Sequence, residues 1–334
     1  MHTITLAFRI LVVLYYVCSS DSIHRLVVLQ IRYNVTVSLI VLIAGIIHLL
    51  LKNNNRPGYL TASAEDTFEN CKSPDCVRCY RYKHVKTDAN QKFRTYCNIL
   101  DGNAHSELAR VKNAIMEVEE CEKQSELQRP NVFYLKGLRS GPVWSERDIF
   151  SKVNKILCDG FSDIRNEFVL ISRRQSGWVK NVTPTGSWFV FSLINQGQYV
   201  RENCDKVPET MKLLQNIPSM VEDNLFGNVC FSVIEPGTHI TPHYGPCNIR
   251  LRCHLACTLT VGQKKLTWDE GKCFFFDDSF LHEAEHSGSR FDPSRSILLV
   301  DLWHPDITEQ EKDALNFVFP SSPTSYEDRR KKMS

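Results

Sequence analysis

The chain has 334 residues, and its 40 Lys and Arg residues nearly balance 38 Asp and Glu residues, for a formal net charge of +2. This length allows one sizeable domain with appended segments. Because the charge is nearly neutral and no basic stripe is interleaved with aromatic residues, we expect no nucleic-acid partner.

Two apolar segments lie near the N-terminus. Residues 3–17 have the length of a signal-peptide core or a short anchor, so the first 34 residues are either a signal or a cytoplasmic tail. Residues 35–51 contain only His48 as an ionisable group and approach the ~20 residues that span a hydrocarbon core. A polar stretch, 52–58, follows. The pattern predicts a transmembrane helix over 35–51, with a buried core helix as the alternative.

The side of the membrane on which the rest of the chain lies is not decided by charge. Basic residues occur on both sides of the predicted span. The chain has 13 cysteines, a number more usual in an oxidising compartment, and Asn181-Val182-Thr183 matches the acceptor pattern for N-glycosylation. Both features favour a lumenal glycoprotein.

Residues 52–128 are predicted to be a cysteine-containing linker with a helical stalk. The spacing of Cys71, Cys76 and Cys79 fits half of a zinc site, completed by Cys97 or His84, or alternatively a set of disulfides. In a lumen the disulfides are favoured. Apolar residues at helical spacing between 106 and 127 predict a helix that packs on the domain or extends as a stalk: Leu108, Val111, Ile115 and Val118.

The folded domain is predicted over 129–320. Short strands alternate with turn residues, which favours a mainly β architecture, a two-sheet jelly roll or double-stranded β-helix with flanking helices. The expected elements are a helix from Ser145 through Phe161, strands over 187–195 and 229–234, a helix over 209–217 and a last helix capped by Thr308. The tail, 321–334, is rich in Ser, Pro, Lys and Arg and is predicted to be disordered.

The segment 232–305 concentrates the polar residues of interest. From residue 250 the pattern alternates, with Arg250, Arg252 and His254 on one face of a predicted strand and apolar residues on the other. Two guanidinium groups and an imidazole on one face predict an anion-binding surface.

His243 and His282 are predicted to lie at strand ends, with His282 at the end of an apolar strand that begins at Phe274. Neutral imidazole suits iron, zinc and copper, and two such ligands leave positions open for a catalytic metal. The common non-haem iron arrangement adds a carboxylate two residues after the first His, but Gly245 occupies that position. From spacing alone, a structural role for both histidines remains the more frequent interpretation.

A longer series of residues resembles a known family. The aspartyl/asparaginyl β-hydroxylases are Fe(II)- and 2-oxoglutarate-dependent oxygenases, and the likeness spans roughly 130–320. It is greatest to the short membrane-anchored members without tetratricopeptide repeats. The matching positions are Ser232, Pro236-Gly237-Thr238-His239, Pro242-His243-Tyr244-Gly245-Pro246, Asn248, Arg250-Leu251-Arg252, His254, Phe276-Asp277-Asp278-Ser279-Phe280, His282, Arg295 and Val300-Asp301-Leu302-Trp303-His304-Pro305.

The resemblance implies a role for each matching position. His243 and His282 would bind Fe(II), since the family has a glycine where other oxygenases have the carboxylate. Asp278 would act in catalysis by orienting a metal-bound water. The 2-oxoglutarate contacts would come from four residues: Ser232, Arg252, His254 and Arg295.

The resemblance also implies a function. The chain would be a dioxygenase that uses dioxygen to hydroxylate the β-carbon of Asp or Asn in disulfide-bearing modules such as epidermal-growth-factor-like domains. It would be a single-pass type II membrane protein with its catalytic domain in the lumen of the endoplasmic reticulum or secretory pathway. The alternatives are a catalytically silent metal-binding module of the same fold, a hydroxylase of lipid substrates and a metal-poor scaffold stabilised by disulfides.

Overall fold

The structure, a computed structural model, describes residues 85–100, 107–116, 127–145, 150–258 and 269–333. The helices in these ranges are α1 (Val85–Ile99), α2 (Ala109–Met116), α3 (Ser151–Asp159), α4 (Phe161–Ser172), α5 (Arg201–Cys204), α6 (Pro208–Leu214), α7 (Glu309–Val318) and α8 (Pro323–Met333). The strands are β1 (Val143–Trp144), β2 (Trp178–Asn181), β3 (Trp188–Asn195), β4 (Gln198–Tyr199), β5 (Val229–Ile234), β6 (Thr238–His243), β7 (Arg250–Thr258), β8 (Cys273–Phe276), β9 (His282–His286) and β10 (Arg295–Trp303).

The strands form two antiparallel sheets. The larger sheet has the order β1-β8-β7-β10-β5-β3-β2, with β4 paired to β3, and the smaller sheet pairs β6 with β9. The prediction of a mainly β domain with flanking helices is confirmed. The predicted strand over 229–234 is β5, and the strand expected over 187–195 is β3.

One face of the larger sheet is apolar and is covered by helices α3, α4 and α6. Leu255, Leu298, Phe231 and Phe191 are paired in turn across β7, β10, β5 and β3, so they form one continuous buried row. The helices contribute further buried side chains to this core, among them Val153, Leu157, Ile164, Phe168, Ile171, Met211 and Leu214. Because side chains alternate along a strand, the opposite face carries a different set of residues.

A second core joins the N-terminal helices to the C-terminal ones. Tyr96 of α1 packs on Phe317 of α7 with ring centroids 5.2 Å apart, and Leu108, Val111 and Ile115 are buried beside them. The predicted helical stripe is confirmed for these three residues, while Val118 lies outside the described residues. Helices α1 and α2, which we predicted to be part of a linker, therefore share a core with the domain.

The C-terminal tail is helical over Pro323–Met333, so the prediction of disorder over 321–334 is wrong for these residues. Tyr326 of α8 packs edge to face on Phe317, with ring centroids 5.1 Å apart. The Ser322 hydroxyl accepts a hydrogen bond from the Ser325 amide at 3.0 Å and so caps the first turn. A single aromatic anchor in an otherwise polar segment is a weak signal in composition, which explains the error.

Two further helix starts test the predictions. Thr308 caps α7 with a reciprocal capping box to Glu311, as predicted. The helix predicted from Ser145 begins instead at Ser151 and is interrupted at Gly160, so the segment forms two helices, α3 and α4.

No helix in the described part of the chain combines the length and the hydropathy that a membrane span requires. The predicted transmembrane segment, 35–51, and the three cysteines at 71, 76 and 79 all lie outside the described residues.

Candidate metal centre

The structure brings His243 and His282 together. His243 ends β6 and His282 begins β9, and the two residues are paired in the smaller sheet. Their ring centroids are 4.2 Å apart with an interplanar angle of 52°. The prediction that His282 ends the same apolar strand as Phe274 is wrong. Strand β8 stops at Phe276, and a turn carries the chain into the other sheet.

Each of these histidines is held in one tautomer by the backbone. Nδ1 of His243 lies 2.8 Å from the Thr241 carbonyl oxygen, and Nδ1 of His282 lies 2.8 Å from that of Phe280. A carbonyl oxygen only accepts hydrogen bonds, so Nδ1 carries the proton and Nε2 carries the lone pair. Burial lowers the pKa of His282 despite the opposing effect of Asp278. The ring is therefore neutral near pH 7, as a metal ligand must be.

Gly245 and Asp278 fit each other closely. The Gly245 amide donates a hydrogen bond to the Asp278 carbonyl at 2.6 Å, and a Cβ atom on residue 245 would lie 2.4 Å from the carboxyl carbon of Asp278. A carboxylate side chain at 245 is thus excluded, because the carboxylate of Asp278 already occupies that space. This packing explains the missing ligand in the sequence pattern.

Asp278 is fully buried and ionised. Burial alone would raise its pKa, but Arg250, Arg252 and His282 outweigh burial and hold the pKa of this carboxyl well below its usual range. Its Oδ2 atom is 2.6 Å from Nη2 of Arg250 and 3.2 Å from Nη1 of Arg252. Its Oδ1 atom accepts no hydrogen bond from the residues that the structure describes. One buried carboxylate oxygen is therefore able to accept a hydrogen bond from a water molecule.

Sequence reasoning missed part of a buried charge cluster. Asp301 of β10 binds both arginines, with Arg250 Nη1 2.7 Å from Oδ2 and Arg252 Nε 2.9 Å from Oδ1. Together with Asp278, two cations and two anions balance one another. The sequence predicts Arg250 only on the anion-binding face of a strand, and it assigns no role to Asp301, which lies within the family motif. The alternating pattern of β7 was the available signal for Arg250.

Arg252 therefore has carboxylate partners within the protein. Its side chain remains 17% exposed, in contrast to 2% for Arg250. Of the two arginines, Arg252 is the one that keeps accessible surface.

The other predicted cosubstrate residues lie on the same face of the larger sheet. In the strand registers, Ser232 is opposite Ile297, His254 is opposite Leu299, and Arg295 lies two residues before Ile297 on β10. All three predicted residues are buried. The structure thus groups Arg295, Ser232 and His254 on one polar face.

The electrostatics of Arg295, Ser232 and His254 differ from those of the buried charge cluster. Burial lowers the pKa of Arg295 to about 10. Burial, and then the positive charges of Arg252 and Arg295, hold the pKa of His254 well below its usual range. The group therefore combines a buried cation with a neutral imidazole.

Two aromatic residues complete the surroundings, and neither was assigned a role from sequence. Trp188 of β3 donates a hydrogen bond from Nε1 to the Ser232 hydroxyl at 2.9 Å. The ring of Phe276 lies 4.9 Å from that of His254 and 5.8 Å from that of His282, measured between centroids. Phe276 therefore connects the metal-ligand candidate to the polar face of the sheet.

Within the described residues, no three His, Cys, Asp or Glu side chains converge on a common metal position. The protein donors at this place are two imidazoles. A metal held by them would have several positions left for ligands from outside the protein, and such open coordination is typical of catalytic rather than structural sites.

Comparison with known proteins gives consistent matches. A family model described as aspartyl/asparaginyl beta-hydroxylase matches residues 159–305. Aspartate beta-hydroxylase domain-containing protein 2 from Homo sapiens is 40% identical over 262 residues, covering 75% of this chain and 70% of that protein. Aspartate beta-hydroxylase domain-containing protein 1 from Mus musculus is 35% identical over 210 residues, covering 59% of this chain and 58% of that protein.

The larger human protein named aspartyl/asparaginyl beta-hydroxylase is also similar. It is 32% identical over 197 residues, which cover 55% of this chain but 26% of that protein. The resemblance noted in the sequence is confirmed, and all the residues of the candidate metal centre fall within or beside the matched segments. This chain belongs to the aspartyl/asparaginyl β-hydroxylase family.

Proposed function

We propose that this chain is an Fe(II)- and 2-oxoglutarate-dependent dioxygenase that hydroxylates the β-carbon of Asp or Asn in secreted or lumenal protein domains. The observation that carries the proposal is the histidine pair, with ring centroids 4.2 Å apart and both Nδ1 atoms engaged by backbone carbonyls. Two imidazoles whose Nδ1 atoms face backbone carbonyls can offer Nε2 to a divalent transition metal.

The surroundings of the pair fit such a metal. The Asp278 carboxylate occupies the space that a third protein ligand from residue 245 would need. Its Oδ1 atom, which accepts no hydrogen bond from the described residues, supports a role as acceptor for a metal-bound water. Arg250 and Arg252 keep this carboxylate ionised, so it accepts that hydrogen bond at any physiological pH.

The polar face of the larger sheet fits a dicarboxylic acid. A guanidinium group binds a carboxylate through two parallel hydrogen bonds, which suits Arg295 to the distal carboxylate of 2-oxoglutarate. Ser232 lies on the same face and holds its hydroxyl against Trp188. His254 and Arg252 both interact electrostatically with His282, so they would contact the other end of 2-oxoglutarate.

In this proposal the cofactors and the protein have different roles. Iron and 2-oxoglutarate, when bound, supply the oxidising chemistry in which dioxygen hydroxylates a C–H bond and 2-oxoglutarate becomes succinate and carbon dioxide. The protein's own residues hold and orient these groups. His243 and His282 would bind the metal through Nε2, Asp278 would position water, and Arg295 would hold the cosubstrate. The Phe276 ring packs between His282 and His254.

We further propose that the two sheets form a jelly roll of the double-stranded β-helix type. The smaller sheet supplies the histidines and the larger one supplies the cosubstrate residues. Contacts of His282 with Phe276 and its electrostatic interaction with Asp278 support a site enclosed by both sheets.

A lumenal, membrane-anchored location is part of the proposal. Asn181 ends β2, and the residue after it, Val182, is 46% exposed, so the glycosylation sequence lies at the surface. A shift in mobility after treatment with an N-glycosidase, absent in Asn181→Gln, would support the lumenal side. An unglycosylated protein with free access of cytosolic protease to the domain would contradict it.

The test of the function is turnover in the purified full chain. With Fe(II), ascorbate and 2-oxoglutarate, we expect succinate formation and a +16 Da product on an epidermal-growth-factor-like peptide that contains Asp or Asn. The His282→Ala variant should lose more than ~100-fold in rate, because one of two metal ligands is removed. His239→Ala is the matched control, since this histidine of β6 is 40% exposed and lies beside Glu283.

The Arg295→Lys variant tests binding of 2-oxoglutarate separately from binding of the metal. The lysine keeps the positive charge but cannot form the two parallel hydrogen bonds of a guanidinium group. KM for 2-oxoglutarate should therefore rise about 10–100-fold, with metal binding unchanged. Full turnover in His282→Ala would overturn the proposal. Binding of metal and 2-oxoglutarate without succinate would also overturn it, in favour of a silent binding module.

A further inference from the structure

Two cysteines outside the metal centre lie close together. Cys158 is in the last turn of α3 and Cys273 is the first residue of β8, and their Sγ atoms are 4.0 Å apart. They are 115 positions apart in the sequence. Both cysteines are only partly buried.

The contact between helix and strand is fixed by neighbouring packing. Phe150, just before α3, stacks on Phe275 of β8 with centroids 4.7 Å apart and planes within 9°. Arg165 of α4 forms an ion pair with Glu270 at 3.0 Å, three residues before Cys273. Because these contacts hold the two elements in place, the closeness of the two sulfurs is a property of the fold.

The other cysteines of the domain are less suited to oxidation. Cys230 and Cys247 are buried, and burial raises the pKa of Cys230 to about 12 and also raises the pKa of Cys247. The reactive form of cysteine is the thiolate, so such thiols are inert. Burial also raises the pKa of the Cys204 thiol. The Cys158 thiol donates a hydrogen bond to Asn154 Oδ1 at 3.3 Å, and oxidation of Cys158 would break this contact. Among the described cysteines, Cys158 and Cys273 combine partial exposure with a neighbouring sulfur.

We propose that Cys158 and Cys273 form a redox-responsive pair that closes to a disulfide when exposed to a small disulfide oxidant such as oxidised glutathione. A disulfide requires the two sulfurs to approach from their present 4.0 Å to about 2.05 Å. One Cys thiolate attacks the oxidant and releases one glutathione thiolate. The second Cys thiolate then attacks the mixed disulfide, forms the Sγ–Sγ bond and releases the second glutathione.

Formation of the disulfide links two elements of the fold. The two protein thiols lose two electrons and two protons, and one molecule of oxidised glutathione is reduced to two thiols. The new bond ties α3 to the start of β8, whose last residue, Phe276, contacts His254 and His282. Closing a loop of this length restricts the unfolded chain strongly, so the oxidised form should be the more stable one.

The experiment uses the full chain, first reduced and then equilibrated with oxidised glutathione. Remaining thiols are blocked with N-ethylmaleimide, and the protein is digested without reduction for mass spectrometry. We expect a linked peptide pair that joins Cys158 to Cys273 and is two hydrogens lighter than the sum of its parts. The Tm of the oxidised protein should exceed that of the reduced protein by roughly 5 °C or more.

Three variants make the test specific. Cys158→Ser and Cys273→Ser should each abolish both the linked peptide and the Tm shift, while Cys204→Ser should keep both. The proposal is overturned if the two cysteines are recovered singly, as alkylated or glutathione-modified peptides, or if either is linked to a different cysteine.

Discussion

The two faces of the larger sheet are built by the same strands but differ in what they bury. On one face, Leu255, Leu298 and Phe231 form a continuous apolar row under the helices. On the other face, which is formed by the alternate residues of the same strands, lie Arg252, His254 and Asp301. The apolar face stabilises the fold through burial, while the polar face places charges where burial is costly.

This difference indicates that a contribution to stability accounts for the apolar face but not for the polar face. Replacing a buried cluster of ion pairs by apolar side chains of similar volume is often neutral or stabilising. The aspartate–arginine cluster is therefore poorly explained as a stabilising feature. Its position beside His282, and its effect in holding Asp278 ionised, fit a role in binding and orientation.

The largest loss of stability is expected from a substitution on the apolar face. Phe231→Ala removes a fully buried ring from the middle of the core and should lower the free energy of unfolding by about 3–5 kcal/mol. Chemical denaturation measures this loss. Metal affinity of the protein that remains folded should be unchanged. A comparable loss of metal affinity would show that the two faces are not separable.

On the polar face, Asp278→Asn should act mainly on the metal. The amide keeps the size of the side chain but removes the charge that Arg250 and Arg252 hold in place. Loss of such an outer carboxylate lowers metal affinity by about 10–100-fold. Calorimetric titration with Mn(II) measures this change. Wild-type affinity in the variant would remove Asp278 from the proposed site.

The turn between the sheets gives a pH-dependent prediction. Burial raises the pKa of Asp277 to about 7, against the lowering effect of its hydrogen bonds with Ser279. Between about pH 4 and pH 7 the folded protein then binds more protons than the unfolded chain. The contribution of Asp277 to stability is present below about pH 4 and is lost as the pH rises through 7, at up to about 1.4 kcal/mol per pH unit.

Asp277→Asn should remove this decline. Unfolding free energies measured from pH 4 to pH 8 should fall less steeply in the variant than in the wild type. Parallel curves for the two proteins would contradict the assignment.

The two faces also differ in how well the sequence predicted them. Alternation of apolar and polar residues predicted β7, and the pattern of short strands between turn residues predicted β3 and β5. The approach of His243 to His282 was expected as well, but from family resemblance together with their strand-end positions. Contacts between distant elements were harder to predict, since a local pattern carries no information on them.

Three details illustrate that limit. Asp301 could not be placed on Arg250 and Arg252 until the register of β7 and β10 was known. Gly245 was recognised as a departure from a common iron site, but the physical reason, the Asp278 carboxylate filling its space, required coordinates. Helix α8 depends on Tyr326, a single residue in a segment whose composition indicated disorder.

Metal binding by the histidine pair tests the central claim most directly. Anaerobic titration of the metal-free full chain with Fe(II) or Mn(II) should give one bound ion per chain. That binding should be lost in His243→Ala and in His282→Ala and retained in His239→Ala. Stoichiometric binding at wild-type affinity in either of the first two variants, or no binding by the wild type, would contradict the account.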